Sequence, residues 1–413
     1  MAVLGVDFGT SNSAVGIARD GAAHLIPLEP GQTTLPTAVF FDFDTRRAVY
    51  GRPANAALIG GDEGRYMRAL KSLLGTSLMR ESRMILNERI DFITIIARFL
   101  ATLKARAEAA TGARFDRALS GRPVLFHSGD AARNAQALVD LTECYLAAGF
   151  DAVDFMPEPE AAALASRDVL SPGDLGLVVD IGGGTSDFTL FRQGTAGQID
   201  IVASHGLRLG GTDFDRALSL EHVMPGFGMG TRIRHAFGDQ THVAPNALFA
   251  DLATWQKIPF LYAPDSRRAA RELAQYAVER DKLDRLVRVL EDELGHDVAF
   301  AVEAAKIAAN DGAVAVPEID LGAVERGLRL PLYPVAMAAT LARMADRIGA
   351  EAAETLRLGG VEPAAVSCVI AVGGSSLMQV VEAAVARQVP QARIHRGAAM
   401  TAIVEGLALA TAA

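Results

Sequence analysis

Two short segments carry acid, glycine and hydroxyl residues in the same order. Val6-Asp7-Phe8-Gly9-Thr10-Ser11 and Val179-Asp180-Ile181-Gly182-Gly183-Gly184-Thr185 each run from an apolar stretch through an aspartate into small residues. Glycine permits sharp turns and leaves backbone N–H groups open to approach, so both loops are suited to cradling phosphate oxygens. Thr10, Ser11, Thr185 and Ser186 add hydroxyl donors. If Asp7 and Asp180 reached the same phosphates they would repel them, and a hard cation such as Mg2+, held through water, resolves that conflict. The plainer alternative is that each aspartate caps its own turn.

Other residues could join such a site. Asp187 follows Asp180 by one turn of hairpin and could accept a water proton or help order a metal's hydration. Glu158 sits between Pro157 and Pro159, which narrow its backbone freedom, although a helix-start role explains it equally well. In Arg208-Leu209-Gly210-Gly211-Thr212-Asp213-Phe214-Asp215 a glycine turn runs into a helix N-cap, a second place where free amides could meet an oxyanion. Glu303, Lys306 and Asn310 share one helical face that could bond ribose hydroxyls and frame a purine, or Glu303 and Lys306 could form a surface pair. Val372-Gly373-Gly374-Ser375-Ser376 offers flat backbone for a base. Lys71, in the helical-looking segment Met67 to Gly75, reads from the pattern alone as a solvated lysine.

The elements that must place these residues fall into a repeated order. Strands and hairpins fill residues 1–50, short helices 54–74, and a long helix about 90–110. An extended piece at Val124 to His127, a helix from Asp130 to Ala147, a short strand at Ala152 to Met156 and a helix from Glu160 follow. After the turn Ser171-Pro172-Gly173-Asp174 the strand-and-hairpin pattern begins again at Leu177. Residues 213–310 read as mostly helical around a glycine-rich loop at 224–230, and the last quarter alternates strand and helix. The doubled strand–Asp–glycine order implies two similar subdomains facing one ligand.

Composition limits the partners. Across 413 residues, 40 Lys and Arg stand against 49 Asp and Glu, a formal charge of −9, so long nucleic acid is not an expected partner. His222, His235 and His242 match no compact zinc spacing. Cys144 and Cys368 read as buried free thiols, which suits a reducing compartment. There is no apolar stretch of bilayer length and no secretion-signal pattern at the start, so a cytoplasmic protein with no membrane partner is expected.

With these residues in view, the chain resembles the nucleotide-binding domain of the Hsp70 family, within the actin and sugar-kinase superfamily. Gly5-Val6-Asp7-Phe8-Gly9-Thr10-Ser11-Asn12-Ser13 resembles the family's first phosphate loop, Val179 to Asp187 its second, and Leu209-Gly210-Gly211-Thr212-Asp213 its following glycine turn. By position the resemblance implies roles for the weaker segments. Lys71 matches the lysine beside the transferred phosphate, Glu158 the catalytic glutamate, and Pro123 a proline that relays nucleotide state. Glu303, Lys306 and Asn310 match the adenosine helix, and Gly373-Gly374-Ser375-Ser376 the adenosine loop. Met156, Ser11, Asn310, Met400 and the segment Gly121 to His127 depart from the family pattern, which bears on turnover and allosteric response more than on nucleotide binding.

The resemblance therefore implies an α/β, actin-like ATPase fold, with two duplicated ribonuclease-H-like lobes around a nucleotide cleft. Lobe I is expected at 1–172, lobe II at 173–394 with a helical subdomain near 215–310, and a returning helix at 395–413. ATP or ADP with Mg2+ is the expected ligand. Asp7 and Asp180 would hold the metal through water, and Gly9, Thr10, Ser11, Asn12, Gly182, Gly183, Gly184 and Thr185 the phosphates. Lys71, Glu158, Asp187 and Thr185 would serve hydrolysis. The likeness is greatest to short Hsp70-like chaperones without a peptide-binding sandwich, so a chaperone role with clients or co-chaperones is expected, as a monomer, with no client groove in this sequence. A small-molecule kinase, or a nucleotide-gated partner-binding or filament-forming protein, are the competing expectations.

Overall fold

The computed structural model describes residues 2–412 except 128, 196, 197, 236–239, 313 and 398. The chain divides into two compact units, Met1–Gly211 with Ala345–Ala413, and Thr212–Met344.

The first unit is built on two mixed sheets. In one, β1 (Ala2–Phe8), β2 (Asn12–Arg19) and β3 (Ala22–Leu25) form an antiparallel meander, and β4 (Phe115–Arg122) and β5 (Ala152–Pro157) add in parallel beside β1, giving the order β5-β4-β1-β2-β3. In the other, β6 (Leu175–Ile181), β7 (Ser186–Gln193) and β8 (Ile199–Leu207) form the meander, with β9 (Val366–Val372) and β10 (Arg393–His395) parallel beside β6. The order is β8-β7-β6-β9-β10, the same plan. Parallel neighbours need long crossovers, and these are supplied largely by helices, such as Ala131–Ala147 between β4 and β5. This is an α/β mixed-sheet fold.

The shared plan puts Asp7 and Asp180 at the same place, one residue before the end of the first strand in each meander. Their cross-strand neighbours differ: Asp7 faces Ala14, whereas Asp180 faces Asp187. Opposed like charges destabilise a strand pair, so this second position is strained on electrostatic grounds.

Small residues let helices come close to these strand ends. The helix Glu158–Ala165 buries Ala161, Ala162 and Ala163, and the helix Ala402–Ala410 buries Ala402, Val404, Leu407 and Ala408. Ala162, Ala163 and Ala402 share one apolar cluster with Val178, Phe191, Ile370 and Val372 of the second sheet. Where the helices cross, a Cβ placed on Gly406 would lie 1.7 Å from the Ala161 carbonyl oxygen. On the first sheet, a Cβ on Gly5 would lie 3.0 Å from the backbone of Leu407 and Ala408.

Local chemistry explains the other helix starts. Asp91 accepts from the Thr94 N–H ahead of the helix Phe92–Thr111, and Asp130 accepts from the Arg133 N–H ahead of Ala131–Ala147. In the second unit the helix Arg280–Glu291 buries Leu283, Leu286, Val289 and Leu290, a stripe at helical spacing. That unit also buries Phe214, Phe227, Phe249 and Trp255.

Three details differ from the sequence expectation. Met67 to Gly75 is not a helix: the strand Gly64–Arg68 pairs with Ala38–Asp42, and Leu70–Leu73 forms one tight 3-10 turn, entered through Ala69 at φ 59°. Val124 to His127 is not a strand, because pairing with β5 ends at Arg122 and Pro123 has no N–H to extend it. Residues 213–310 are interrupted by a hairpin, Arg232–Arg234 with Thr241–Val243. Cys144 and Cys368 are buried free thiols, and burial pushes both up in pKa. No helix among the described residues is long and apolar enough to cross a membrane.

Gly406→Ala is expected to destabilise the chain by about 1–3 kcal/mol, because the added methyl overpacks a backbone contact that cannot yield without moving a helix. Denaturant unfolding measures this, and an unchanged midpoint would mean the two helices do not cross this closely.

Candidate functional site

Both glycine loops meet within the first unit. A Cβ on Gly183 would come within 2.7 Å of Ser11 Oγ and 2.9 Å of Thr10 Cβ, and one on Gly184 within 3.3 Å of Ser72 Oγ. The first loop is closed by its own backbone, where a Cβ on Gly9 would strike the Asn12 carbonyl oxygen at 2.1 Å. The second is closed by Gly182 N–H donating to the Thr185 carbonyl. Gly9 and Gly183 are thus required by space.

Two further turns brace the second loop. Gly211 N–H donates to the Gly182 carbonyl at 2.9 Å, and a Cβ on Gly210 would lie 2.5 Å from Gly184 N. Gly373, at φ 76°, fits against the Ile181 carbonyl and the Asp180 carboxylate, and Gly374 and Ser375 continue that turn. The Gly210-Gly211 and Gly373–Ser375 turns are therefore placed at the end of β6.

Under the loops lies a buried cluster of charge. Lys71 Nζ bonds Glu158 Oε1 at 2.5 Å, and their side chains are each only 7% exposed. Glu158 opens its helix directly after β5, and Gly121 on the neighbouring strand leaves room for it, since a Cβ there would sit 3.0 Å from Glu158 Cγ. Asp180 and Asp187 are almost fully buried, and Asp7 is partly buried. Asp187 Oδ1 accepts from the Val124 N–H at 2.6 Å, whereas its buried Oδ2 has no hydrogen-bond partner among the described residues.

The charges act on one another. Burial, then the Glu158 carboxylate, push Asp7 above the ordinary carboxylate range. Asp180 is raised by burial and by Glu158, Asp187 and Asp7. Asp187 is pushed up to about 7 by burial and by Glu158, against the Val124 N–H bond that favours its ionised form. For Lys71 burial opposes the charge, but Glu158 and Asp7 outweigh it and hold the ammonium above its usual pKa. Four carboxyl groups thus crowd one lysine, so the cluster when fully ionised carries an excess of negative charge in a dehydrated place.

That excess fits a divalent cation. The donors are all hard carboxylate oxygens, and one of them, Asp187 Oδ2, is buried without a hydrogen-bond partner among the described residues. Among the described residues no group of three or more His, Cys, Asp or Glu side chains is arranged to hold a metal directly.

A cavity of about 20 Å3 beside the cluster is lined by residues that include Thr10, Lys71, Ser72, Thr185, His127 and Arg208. It has room for one water, about a probe's volume. Of its lining, Ser72 carries no local sequence signal, and His127 is marked only by the departure of the Gly121 to His127 segment from the family pattern.

Glu303, Lys306 and Asn310 lie on the helix Gly295–Asp311 of the second unit. Lys306 is buried and bonds Asp215 Oδ1 at 2.6 Å, and Asp215 Oδ2 accepts from Trp255 Nε1 at 3.2 Å. Lys306 is thus anchored by a buried ion pair with Asp215, a partner that helical spacing does not indicate.

The raised carboxylates have a consequence for stability. A carboxyl with a folded pKa near 7 and an ordinary value of 3.8 keeps its proton in the folded chain where the unfolded chain has lost it, so folding stability falls as pH rises between those values. The melting temperature of ligand-free protein is expected to drop from pH 5.5 to 8 more in the wild type than in Asp187→Asn, with Mg2+ and ADP reducing the wild-type slope. Parallel slopes in scanning calorimetry for both proteins would contradict the burial of an ionisable Asp187.

Comparison with known proteins gives this cluster a setting. The chain matches the family described as "Hsp70 protein" over residues 3–83 and 83–311. It is 29% identical over 332 residues to the chaperone protein DnaK of Elusimicrobium minutum, covering 77% of this chain and 50% of the relative. Against the DnaK of Nitrosopumilus maritimus identity is 29% over 327 residues, 75% of this chain and 48% of the relative. With the DnaK of Thermosipho africanus it is 34% over 221 residues, 52% of this chain and 34% of the relative. The chain spans about half the length of the first two relatives. Since the family match runs across more than half of the sequence and includes both glycine loops, Lys71 and Glu158, the chain belongs to the Hsp70 family.

Proposed function

We propose that this chain binds Mg-ATP at the two glycine loops and hydrolyses it slowly, as the nucleotide-driven part of a chaperone cycle. The observation that carries this reading is the buried convergence of Asp7, Glu158, Asp180 and Asp187 around Lys71, directly beneath amide-lined turns. Such a cluster is unfavourable by itself and becomes favourable when a cation and a polyphosphate complete it. The family match supports the same ligand. In this reading the two sheets with one strand plan belong to two ribonuclease-H-like lobes of an actin-like fold, residues 1–172 and 173–394, which open and close with nucleotide state.

Each residue then has a task. Amides of Gly9 to Asn12 and Gly182 to Thr185 take the phosphate oxygens, with the Thr10, Ser11 and Thr185 hydroxyls beside them. Lys71, kept charged by Glu158, is placed to stabilise charge on the transferred phosphoryl group. Asp187 Oδ2, open to a new hydrogen bond, orients the attacking water, and Glu158 shares that role through its own carboxylate. Asp7 and Asp180 would hold magnesium through water, and the ion would supply neutralisation of the phosphate charge. By family position, Glu303, Lys306, Asn310 and the turn Gly373–Ser375 contact the adenosine. The DnaK relatives are named as chaperones, and protein clients or co-chaperones are the corresponding partners proposed here.

Calorimetric titration with Mg-ATP and Mg-ADP tests the ligand; no heat and no thermal shift with either nucleotide would end this reading. For the chemistry, Lys71→Met is expected to slow single-turnover hydrolysis by about 100-fold or more while ADP affinity changes little. Because that change strips Glu158 of its buried partner, Glu158→Gln is the companion variant and should show the same split. Full-rate hydrolysis in both would remove the pair from the reaction.

A further inference from the structure

Lys71 does not sit on a regular element, and something has to aim it. Its 3-10 turn, Leu70–Leu73, has no side-chain cap of its own, is entered through Ala69 at φ 59° and is left through Gly75 at φ 77°. A four-residue hydrogen-bonded turn fixes little by itself. Two buried side chains from elsewhere hold its exit. His127 Nε2 donates to the Leu74 carbonyl at 2.7 Å, and Asp140 Oδ2 accepts from the Gly75 N–H at 2.9 Å. A carbonyl can only accept, which assigns the proton to Nε2.

Asp140 is itself held. Asp140 Oδ1 accepts from Gln136 Nε2 at 2.8 Å and from Arg80 Nη2 at 3.1 Å, so its rotamer is fixed from the other side. Gly75 is packed so closely that a Cβ would meet the Arg133 carbonyl at 2.4 Å and His127 Nε2 at 3.0 Å. Three residues before His127, the Val124 N–H is bonded to Asp187 Oδ1. One short segment therefore grips the catalytic carboxylate at one end and the lysine-bearing turn at the other.

We propose that His127 and Asp140 are positioning residues that fix Lys71 relative to Asp187, with His127 as the direct tie between the two. This rests on the ATPase reading given above. Loss of the tie lets the 3-10 turn loosen while the phosphate loops, which use neither residue, stay intact. A displacement of about 1 Å at a charge-stabilising group is enough to cost one to two orders of magnitude in rate.

The test compares His127→Phe, which keeps a ring without the donor, with His127→Gln, which keeps an N–H donor, and with Asp140→Asn as a milder probe of the second tie. The readouts are single-turnover ATP hydrolysis, Mg-ADP affinity, and hydrogen exchange of the amides from Lys71 to Thr76. His127→Phe should lose about tenfold or more in hydrolysis with ADP affinity within about threefold, and exchange faster in that segment. His127→Gln should recover much of the rate, and Asp140→Asn should raise exchange at Gly75. Unchanged rate and exchange in His127→Phe overturn the proposal, as does equal loss in His127→Phe and His127→Gln, which would mark a merely structural residue. If the wild type binds nucleotide but does not hydrolyse it, the ATPase reading fails by itself. Exchange then decides the tie: faster exchange in His127→Phe supports it, and unchanged exchange rejects it. Should His127→Phe fail to fold, unchanged rate and Gly75 exchange in Asp140→Leu, which keeps the shape but removes the acceptor, reject the proposal.

Discussion

Burying several carboxylates around one ammonium is the constraint on which the rest of this molecule depends. Taken from water, each ionised group loses hydration that only a close partner can replace. Lys71 supplies that for Glu158, and the Val124 amide supplies part of it for Asp187. Asp7 and Asp180 are left with repulsion as well as burial. The protein tolerates this because the strand ends that carry them are built into two sheets whose interiors are strongly apolar. The cluster is therefore a stored electrostatic demand that the chain's own partners leave partly unmet.

The sheets make that demand possible. An antiparallel hairpin following the first strand puts a tight glycine turn next to the strand-end aspartate, and the same hairpin occurs in both sheets. The second sheet differs in carrying Asp187 across from Asp180. The shared strand plan thus gives two similar glycine loops, and only the second has a second aspartate across from the strand-end one.

Much of this could be read from the sequence, for a physical reason. The two loops are local: an aspartate, glycines and hydroxyls within a few residues announce what a strand end can do, and Asp7 and Asp180 needed no distant information. The helix starts at Asp91 and Asp130 are local in the same sense. Lys71 was different. Its neighbours looked helical, and its burial depends on Glu158, 87 residues away in the chain. Only likeness to a family pointed to it. Lys306 illustrates the same limit, because its partner Asp215 lies 91 residues away and helical spacing suggested Glu303 instead. The ties made by His127 and Asp140 leave no periodic mark at all, since each is a single side chain reaching a backbone group in another segment.

The crossing of the helices Glu158–Ala165 and Ala402–Ala410 bears on how such a chain can change over generations. Gly406 sits against the Ala161 carbonyl with no space for even a methyl group. The helix that begins with Glu158 is thus seated on the last helix of the sequence, and its axis cannot roll independently. Drift at residues far apart in the gene is then yoked together: a bulkier side chain at 406 survives only if the backbone around 161 has already receded. The carboxylate that faces Lys71 is in this way seated by a contact between an alanine and a glycine at the far side of its own helix.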